Sequence, residues 1–188
     1  MIVGVDEAGR GPLAGAVVGC ALYLKKKPPF IVKDSKQLQE SSRHQVVSWL
    51  SDNSTFSVGI ASQDEIDEIN ILNATFLSFD RAVNGLIQKE PKLKKATFII
   101  DGNLYRTNTK IKYRCVIGAD KSVDEVACAS VVAKVFRDYL MEVAHFLYPQ
   151  WNFKRHKGYP TKEHFQLLKK YNKSPIHRKS FIRSLYLS

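Results

Sequence analysis

Four carboxylates stand where the chain enters or leaves regular structure. Asp6 closes the short apolar run Ile2-Val3-Gly4-Val5, and Glu7 follows at once. Asp101 closes the run Ala96-Thr97-Phe98-Ile99-Ile100 and precedes Gly102. Asp120 lies just ahead of a long apolar stretch. An acid at the end of a buried strand has its backbone anchored in the core and its carboxylate at the rim, the rigid mounting that preorganised chemistry requires. Several carboxylates brought to one point repel one another unless cations sit between them. Oxygen-only ligation of that kind suits Mg²⁺ or Mn²⁺. Two such ions about 3.5–4 Å apart can hold both the attacking and the leaving oxygen of a phosphodiester displacement. The same acids are also ordinary turn and cap residues, since Asp-Gly is a common turn and Asp near a helix start a common cap. Placement alone leaves both readings open. Adjacent strand residues point to opposite faces. Asp6 and Glu7 can therefore share a site only if the strand breaks at Glu7, a break that Gly9 and Gly11 make feasible.

The elements that must carry these acids show in the hydrophobic pattern. Residues 2–6 read as a short strand, 14–24 as a second and 55–61, by alternation, as a third. Residues 96–100 and 111–117 supply two more. Residues 41–51 fit a helix with Val46, Val47 and Leu50 on one side, and 63–90 fit one or two helices with Phe76, Phe79, Val83 and Leu86 at helical spacing. Ser122-x-x-Glu125 is a capping-box signature before an apolar run, so a long helix is predicted from near Ser122 to about Leu147, stopped by Pro149. Thr161 is placed to cap a further helix over 162–171, and a basic segment from His177 to Arg183 follows. This order describes an α/β domain with a mixed sheet over residues 1–145 and a small helical appendage over 146–188.

Composition narrows the partners. A chain of 188 residues with 44% hydrophobic content fits one compact domain. No stretch approaches the roughly 20 apolar residues that span a membrane, and Met1 to Glu7 offers neither the basic nor the apolar region of a signal peptide. A cytoplasmic protein with no membrane association is expected. Cys20, Cys115 and Cys128 form no C-x-x-C pair and read as reduced thiols. Lys plus Arg number 29 against 18 acids, a net charge of +11, which favours a polyanionic partner. Charge alone fits a nuclease, a ribosomal protein or an architectural protein equally. A basic chain with an acidic pocket is nevertheless coherent, the lysines holding phosphates and the acids holding metals.

The segment Asp6-Glu7-Ala8-Gly9-Arg10-Gly11-Pro12-Leu13-Ala14-Gly15 resembles the N-terminal signature of the ribonuclease HII family, and further motifs follow in the family's order. They are Asp34-Ser35-Lys36-Gln37-Leu38, Ile100-Asp101-Gly102-Asn103, and Ala119-Asp120 with Ala129-Ser130 and Ala133-Lys134-Val135-x-Arg137-Asp138. His156-Lys157-Gly158-Tyr159-Pro160-Thr161-Lys162-Glu163-His164 and His177-Arg178-Lys179-Ser180-Phe181 complete the set. The resemblance implies a ribonuclease H-like fold, a mixed five-stranded sheet flanked by helices with a small C-terminal helical appendage. It implies Asp6, Glu7, Asp101 and Asp120 as the metal-binding and catalytic acids, with two Mg²⁺ or Mn²⁺ ions. It implies that Gly9-Arg10-Gly11 reads the ribose 2′-hydroxyl through backbone groups, and that Tyr159 packs on the sugar just 3′ of the ribonucleotide. Lys36, Asn103, Ser130 and Lys134 would contact backbone phosphates. Asp138 would pair with Arg137 inside its helix, and Asp124 would serve the helix dipole.

The substrates so implied are RNA–DNA hybrids and duplex DNA carrying single ribonucleotides, cut 5′ of the ribonucleotide to leave a 3′-hydroxyl and a 5′-phosphate. The implied roles are ribonucleotide excision repair and RNA primer removal. Ala119 stands where many bacterial members carry glycine, while the acid after it keeps its place. Gly9-Arg10-Gly11 and Asp101 separate the chain from ribonuclease HIII, and no N-terminal substrate-binding domain is expected before Met1. A monomer is expected, with no clear sliding-clamp motif after Phe181. A non-catalytic hybrid-binding module would bind without metal-dependent cleavage. A resolvase on the same fold would act on all-DNA substrates, and a basic structural protein would need no acids at strand ends.

Overall fold

The structure, a computed structural model, describes residues 1–29 and 40–183. Five strands form one sheet in the order β3-β2-β1-β4-β5. β1 (Ile2–Ala8) lies at its centre. On one side β2 (Val17–Leu24) and then β3 (Ser54–Ala61) pair antiparallel. On the other side β4 (Thr97–Asp101) and then β5 (Lys112–Val116) pair parallel. The chain leaves β1 towards β2 and leaves β4 towards β5, in opposite directions. The crevice outside the carboxyl ends of β1 and β4 is thus a topological switch point, where open α/β sheets hold ligands.

Alternation along the central strands divides the core in two. Val3 and Val5 share a face with Phe98 and Ile100 and pack on Phe76, Phe79, Val83 and Leu86 of α2 (Gln63–Lys89). Val18, Cys20 and Leu22 turn the other way, against Cys128, Val131 and Val132 of α3 (Asp124–Leu147) and Leu50 of α1 (Glu40–Asn53). Each fully buried side chain of the size of Leu22 or Phe79 contributes roughly 1.5–3 kcal/mol. After α3 come α4 (Phe153–His156), α5 (Lys162–Tyr171) and α6 (Lys179–Arg183). Trp151, Phe153, Leu168 and Ile182 share a cluster with Leu13, Ala14 and Met141, so this last segment packs back onto the loop between β1 and β2. Among the described residues no helix is long and apolar enough to cross a membrane.

Three local expectations are corrected. β1 does not break at Glu7, because its ladder with β2 continues to Ala8 opposite Val18 after its ladder with β4 has ended at Val5 opposite Ile100. The second strand begins at Val17 rather than residue 14: Gly15 takes φ +84°, and Ala14 makes only an isolated bridge to His177. Ser122 does not cap the long helix. Its amide closes the 3-10 turn Ala119–Lys121 on the Ala119 carbonyl, and α3 opens after Val123 with no side-chain cap. The capping box lies at the start of α2, where Ser62 Oγ accepts from the Glu65 amide at 3.2 Å and Glu65 Oε2 accepts from the Ser62 amide at 2.9 Å.

Candidate active site

Strand register brings two acids together. Val5 pairs with Ile100 across the parallel ladder, so Asp6 and Asp101, one residue on, lie side by side at the carboxyl ends of the two central strands. Both belong to the face opposite Val5 and Ile100, the face that α3 covers. Asp6 is only 5% exposed. The Ser130 hydroxyl on α3 donates to it, and the Glu7 amide donates to Asp6 Oδ1 at 2.7 Å. Burial, then the negative charge of Glu7 and, less strongly, that of Asp101 hold the Asp6 carboxyl well above the usual carboxylate range despite those hydrogen bonds. Asp101 Oδ1 accepts from the Ala119 amide at 2.8 Å, which ties down the turn that carries Asp120. Asp120 is not among the charges that act most on Asp6. Glu7 lies 3.6 Å from Arg10 Nη1.

As the chain stands, no three Asp, Glu, His or Cys side chains among the described residues lie close enough together to hold one ion. The donor chemistry nevertheless fits a hard divalent cation. Asp6 is a buried carboxylate raised by two acidic neighbours, and a cation among oxygen donors is the partner that relieves such a group.

Beside the acids a cleft of ≈ 320 Å³ runs from Glu7 along Gly9, Arg10 and Gly11 to Ser130, Lys134 and Tyr159. A larger depression of ≈ 760 Å³ lies along Arg155, Thr161 and Gln166. It is more open and holds no strand-end acid, so the smaller cleft is the one continuous with the carboxylates. Gly9 has φ +100°, and a Cβ there would meet Arg137 Nε at 2.2 Å, so no other residue fits without rebuilding. At Gly11 a Cβ would meet nothing within 4 Å, so the interior makes no demand for glycine there. The Tyr159 ring, 38% exposed, stands 5.7 Å from Lys134 Nζ and 5.4 Å from Arg137 Cζ.

Other sequence-selected residues are engaged with the protein itself or lie away from the cleft. Lys134 Nζ donates to Asp138 Oδ1 at 2.7 Å, and Arg43 stands 3.7 Å from the same carboxylate. Asp138 does not bond Arg137, because neighbouring helix residues do not face each other. Arg137 turns inward instead, to the carbonyls of Lys157 at 2.9 Å and Ala14 at 3.2 Å. Asn103 is exposed after Gly102 and does not line the cleft, and Asp124 is exposed in the first turn of α3. Lys36 and its Asp34-to-Leu38 motif fall outside the described residues.

Sequence reasoning missed the polar residues beneath this cleft. His177 Nδ1 accepts from the Ser174 amide at 2.9 Å, so its proton sits on Nε2, 2.9 Å from His164 Nε2. His164 Nε2 must then accept, leaving Nδ1 to donate to the Tyr159 carbonyl at 2.9 Å. His156 accepts from the Gly158 amide at Nδ1 and donates from Nε2 to the Trp151 carbonyl. Burial keeps all three rings neutral, lowering His164 to about 4 and His177 to about 3. Arg178, part of the basic segment, is wholly buried under the Gly9–Ala16 loop. Both sets lie inside the quoted motifs, but their spacing along the chain carries no sign that they meet these loops.

The family model described as Ribonuclease HII matches residues 3–184. The chain is similar to the ribonuclease HII of Hydrogenovibrio crunogenus, 43% identical over 183 residues, with 96% of this chain and 84% of that protein covered. Its fold resembles that of the ribonuclease HII solved in a PCNA complex from Archaeoglobus fulgidus, with a TM-score of 0.78 at 20% identity over 97% of this chain and 94% of that one. It also resembles Bst-RNase HIII, solved in complex with Mn²⁺, with a TM-score of 0.73 at 18% identity over 99% of this chain and 69% of that one.

Proposed function

The chain belongs to the ribonuclease HII family and is a nuclease acting on RNA–DNA hybrids; from that premise we propose that it is a divalent-metal-dependent endoribonuclease cutting 5′ of a ribonucleotide, whether in a hybrid or singly embedded in duplex DNA. In this reading Asp6, Glu7, Asp101 and Asp120 hold two Mg²⁺ or Mn²⁺ ions. When bound, the ions supply an activated water and charge stabilisation at the leaving 3′-oxygen, so that a 3′-hydroxyl and a 5′-phosphate result. The relative solved with Mn²⁺ supports the choice of metal class.

The chain's own groups do the positioning. The Ser130 hydroxyl and the Glu7 amide orient Asp6, while the Ala119 amide occupies one oxygen of Asp101. The backbone of Gly9-Arg10-Gly11 borders the cleft and approaches the ribose 2′-hydroxyl, the group that separates RNA from DNA. Tyr159, backed by Lys134 and Arg137, packs on the adjacent sugar. Of the residues assigned to phosphate contact, Ser130 and Lys134 border the cleft and take that role, and the segment 146–188 contributes Tyr159. No side chain serves as nucleophile. The role is ribonucleotide excision repair and primer removal, in the cytoplasm.

The observation that carries this reading is the side-by-side placement of Asp6 and Asp101, with Asp6 held above its ordinary range by burial and then by its acidic neighbours. Asp101→Asn keeps an acceptor for the Ala119 amide and removes the charge. Turnover is expected to fall by about 10²–10³-fold or more, with the melting temperature nearly unchanged. Full turnover in that variant contradicts the acidic site.

A further inference from the structure

Arg178 is 0% exposed. Its Nε donates to the Gly15 carbonyl at 2.9 Å, Nη1 to Arg10 at 2.9 Å, and Nη2 to Gly9 at 2.6 Å and Ala16 at 3.3 Å. Among the described residues it makes no ion pair, and burial, reinforced by the charge of Arg137, draws its pKa down to about 9. A buried guanidinium without a carboxylate is costly, and here four carbonyls of one loop replace its water. The head is itself held. The Arg178 amide donates to the Leu13 carbonyl at 2.9 Å and Cζ lies 5.0 Å from the Phe181 ring, while Asp67 docks the start of α6 and not the guanidinium, accepting the amides of Lys179 and Ser180 at 2.8 and 2.9 Å.

These bonds fix which way the loop's peptides face. No peptide here is cis, and across a trans peptide the N–H points opposite to the C=O. With the Gly9 and Arg10 carbonyls turned in to Arg178, the amides of Arg10 and Gly11 point away from it, and both residues line the cleft. Among the described residues neither amide donates to a backbone carbonyl. Consecutive outward amides form a concave donor pair suited to a hydroxyl or phosphate oxygen.

We propose that Arg178 is the positioning residue for ribose recognition, setting the Gly9–Arg10 and Arg10–Gly11 peptides so that two adjacent amides meet the ribonucleotide. This deepens, and rests on, the reading of the cleft as the ribose-reading site. Lysine cannot substitute, because one ammonium nitrogen cannot span four carbonyls that a planar fork reaches together.

The test measures binding, with Ca²⁺ replacing Mg²⁺ to hold duplexes uncut. Affinity for a duplex with one ribonucleotide is divided by affinity for the same sequence in all DNA. Arg178→Lys is expected to lower that ratio about tenfold or more, the factor carried by one lost hydrogen bond, while all-DNA affinity stays put. Asp67→Asn loosens the docking of α6 but keeps the guanidinium. It is expected to lower the melting temperature and leave the ratio intact, and it stays informative if Arg178→Lys does not fold. A wild-type ratio in Arg178→Lys, or a collapsed ratio in Asp67→Asn, overturns the role of Arg178 while leaving the ribose reading in place. A wild type with no preference overturns both.

Discussion

Replacing Asp6 by asparagine separates two demands on one side chain. The amide side chain would keep an oxygen for the Glu7 amide and lose a charge that burial, Glu7 and Asp101 all oppose. The metal-free Asp6→Asn protein is therefore expected to be more stable than wild type in chemical denaturation. It should also lose turnover, and it should lack the rise in melting temperature expected of the wild type on adding Mn²⁺. A less stable variant would mean that the carboxylate is not in conflict with its surroundings. At this scale the neighbouring placement of Asp6 and Asp101 was legible, because strand ends and Asp-Gly punctuate the chain. Arg178 was not. A lysine- and arginine-rich segment near a terminus reads as solvated surface, and nothing local reveals carbonyls more than 160 residues earlier in the chain waiting for a donor.

Among the elements, hydrophobic period located the five strands and both long helices, while boundaries followed tertiary partners. β1 outruns its reading because β2 keeps pairing after β4 stops, a fact about a neighbour and not about residues 6–8. Glu7 remains in a regular strand and still lines the cleft beside Asp6. The capping signature at Ser122 was matched in pattern only, since its amide was already engaged in the preceding turn. α2 is two helices joined at Asn70, which takes φ 66° while its Oδ1 accepts the amides of Leu72 and Asn73. Asn70→Ala loses the cap and retains a backbone conformation hostile to a Cβ, so a loss of about 1–3 kcal/mol in urea unfolding is expected. Asn70→Gly loses the cap but relieves the strain and should stay near wild type. Equal losses in the two variants would show that backbone strain is not involved.

The molecule as a whole joins a basic surface to a neutral, buried histidine chain. His164 and His177 take up protons only near pH 4 and 3, whereas in the unfolded chain they do so near 6.5. Between those limits the unfolded state binds more protons, so stability is full above about pH 6.5 and declines as pH falls. The melting temperature is expected to drop by roughly 10 °C between pH 7 and pH 5, and a rise over that interval contradicts the neutral chain. Fold class and the side-by-side acids were open to sequence reasoning because motif order, strand ends and composition agree. The histidine chain was not, because three rings from α4, α5 and the loop before α6 meet only once the C-terminal segment packs beneath Tyr159. The central claim is metal-dependent cutting at a ribonucleotide. Its most direct test is a labelled DNA duplex carrying one ribonucleotide, incubated with the protein in Mg²⁺, in Mn²⁺ and in chelator, beside an all-DNA duplex. The expected result is a single metal-dependent cut 5′ of the ribonucleotide with the all-DNA duplex intact. Cleavage of both duplexes, or binding to the ribonucleotide duplex with no cut in either metal, would contradict it.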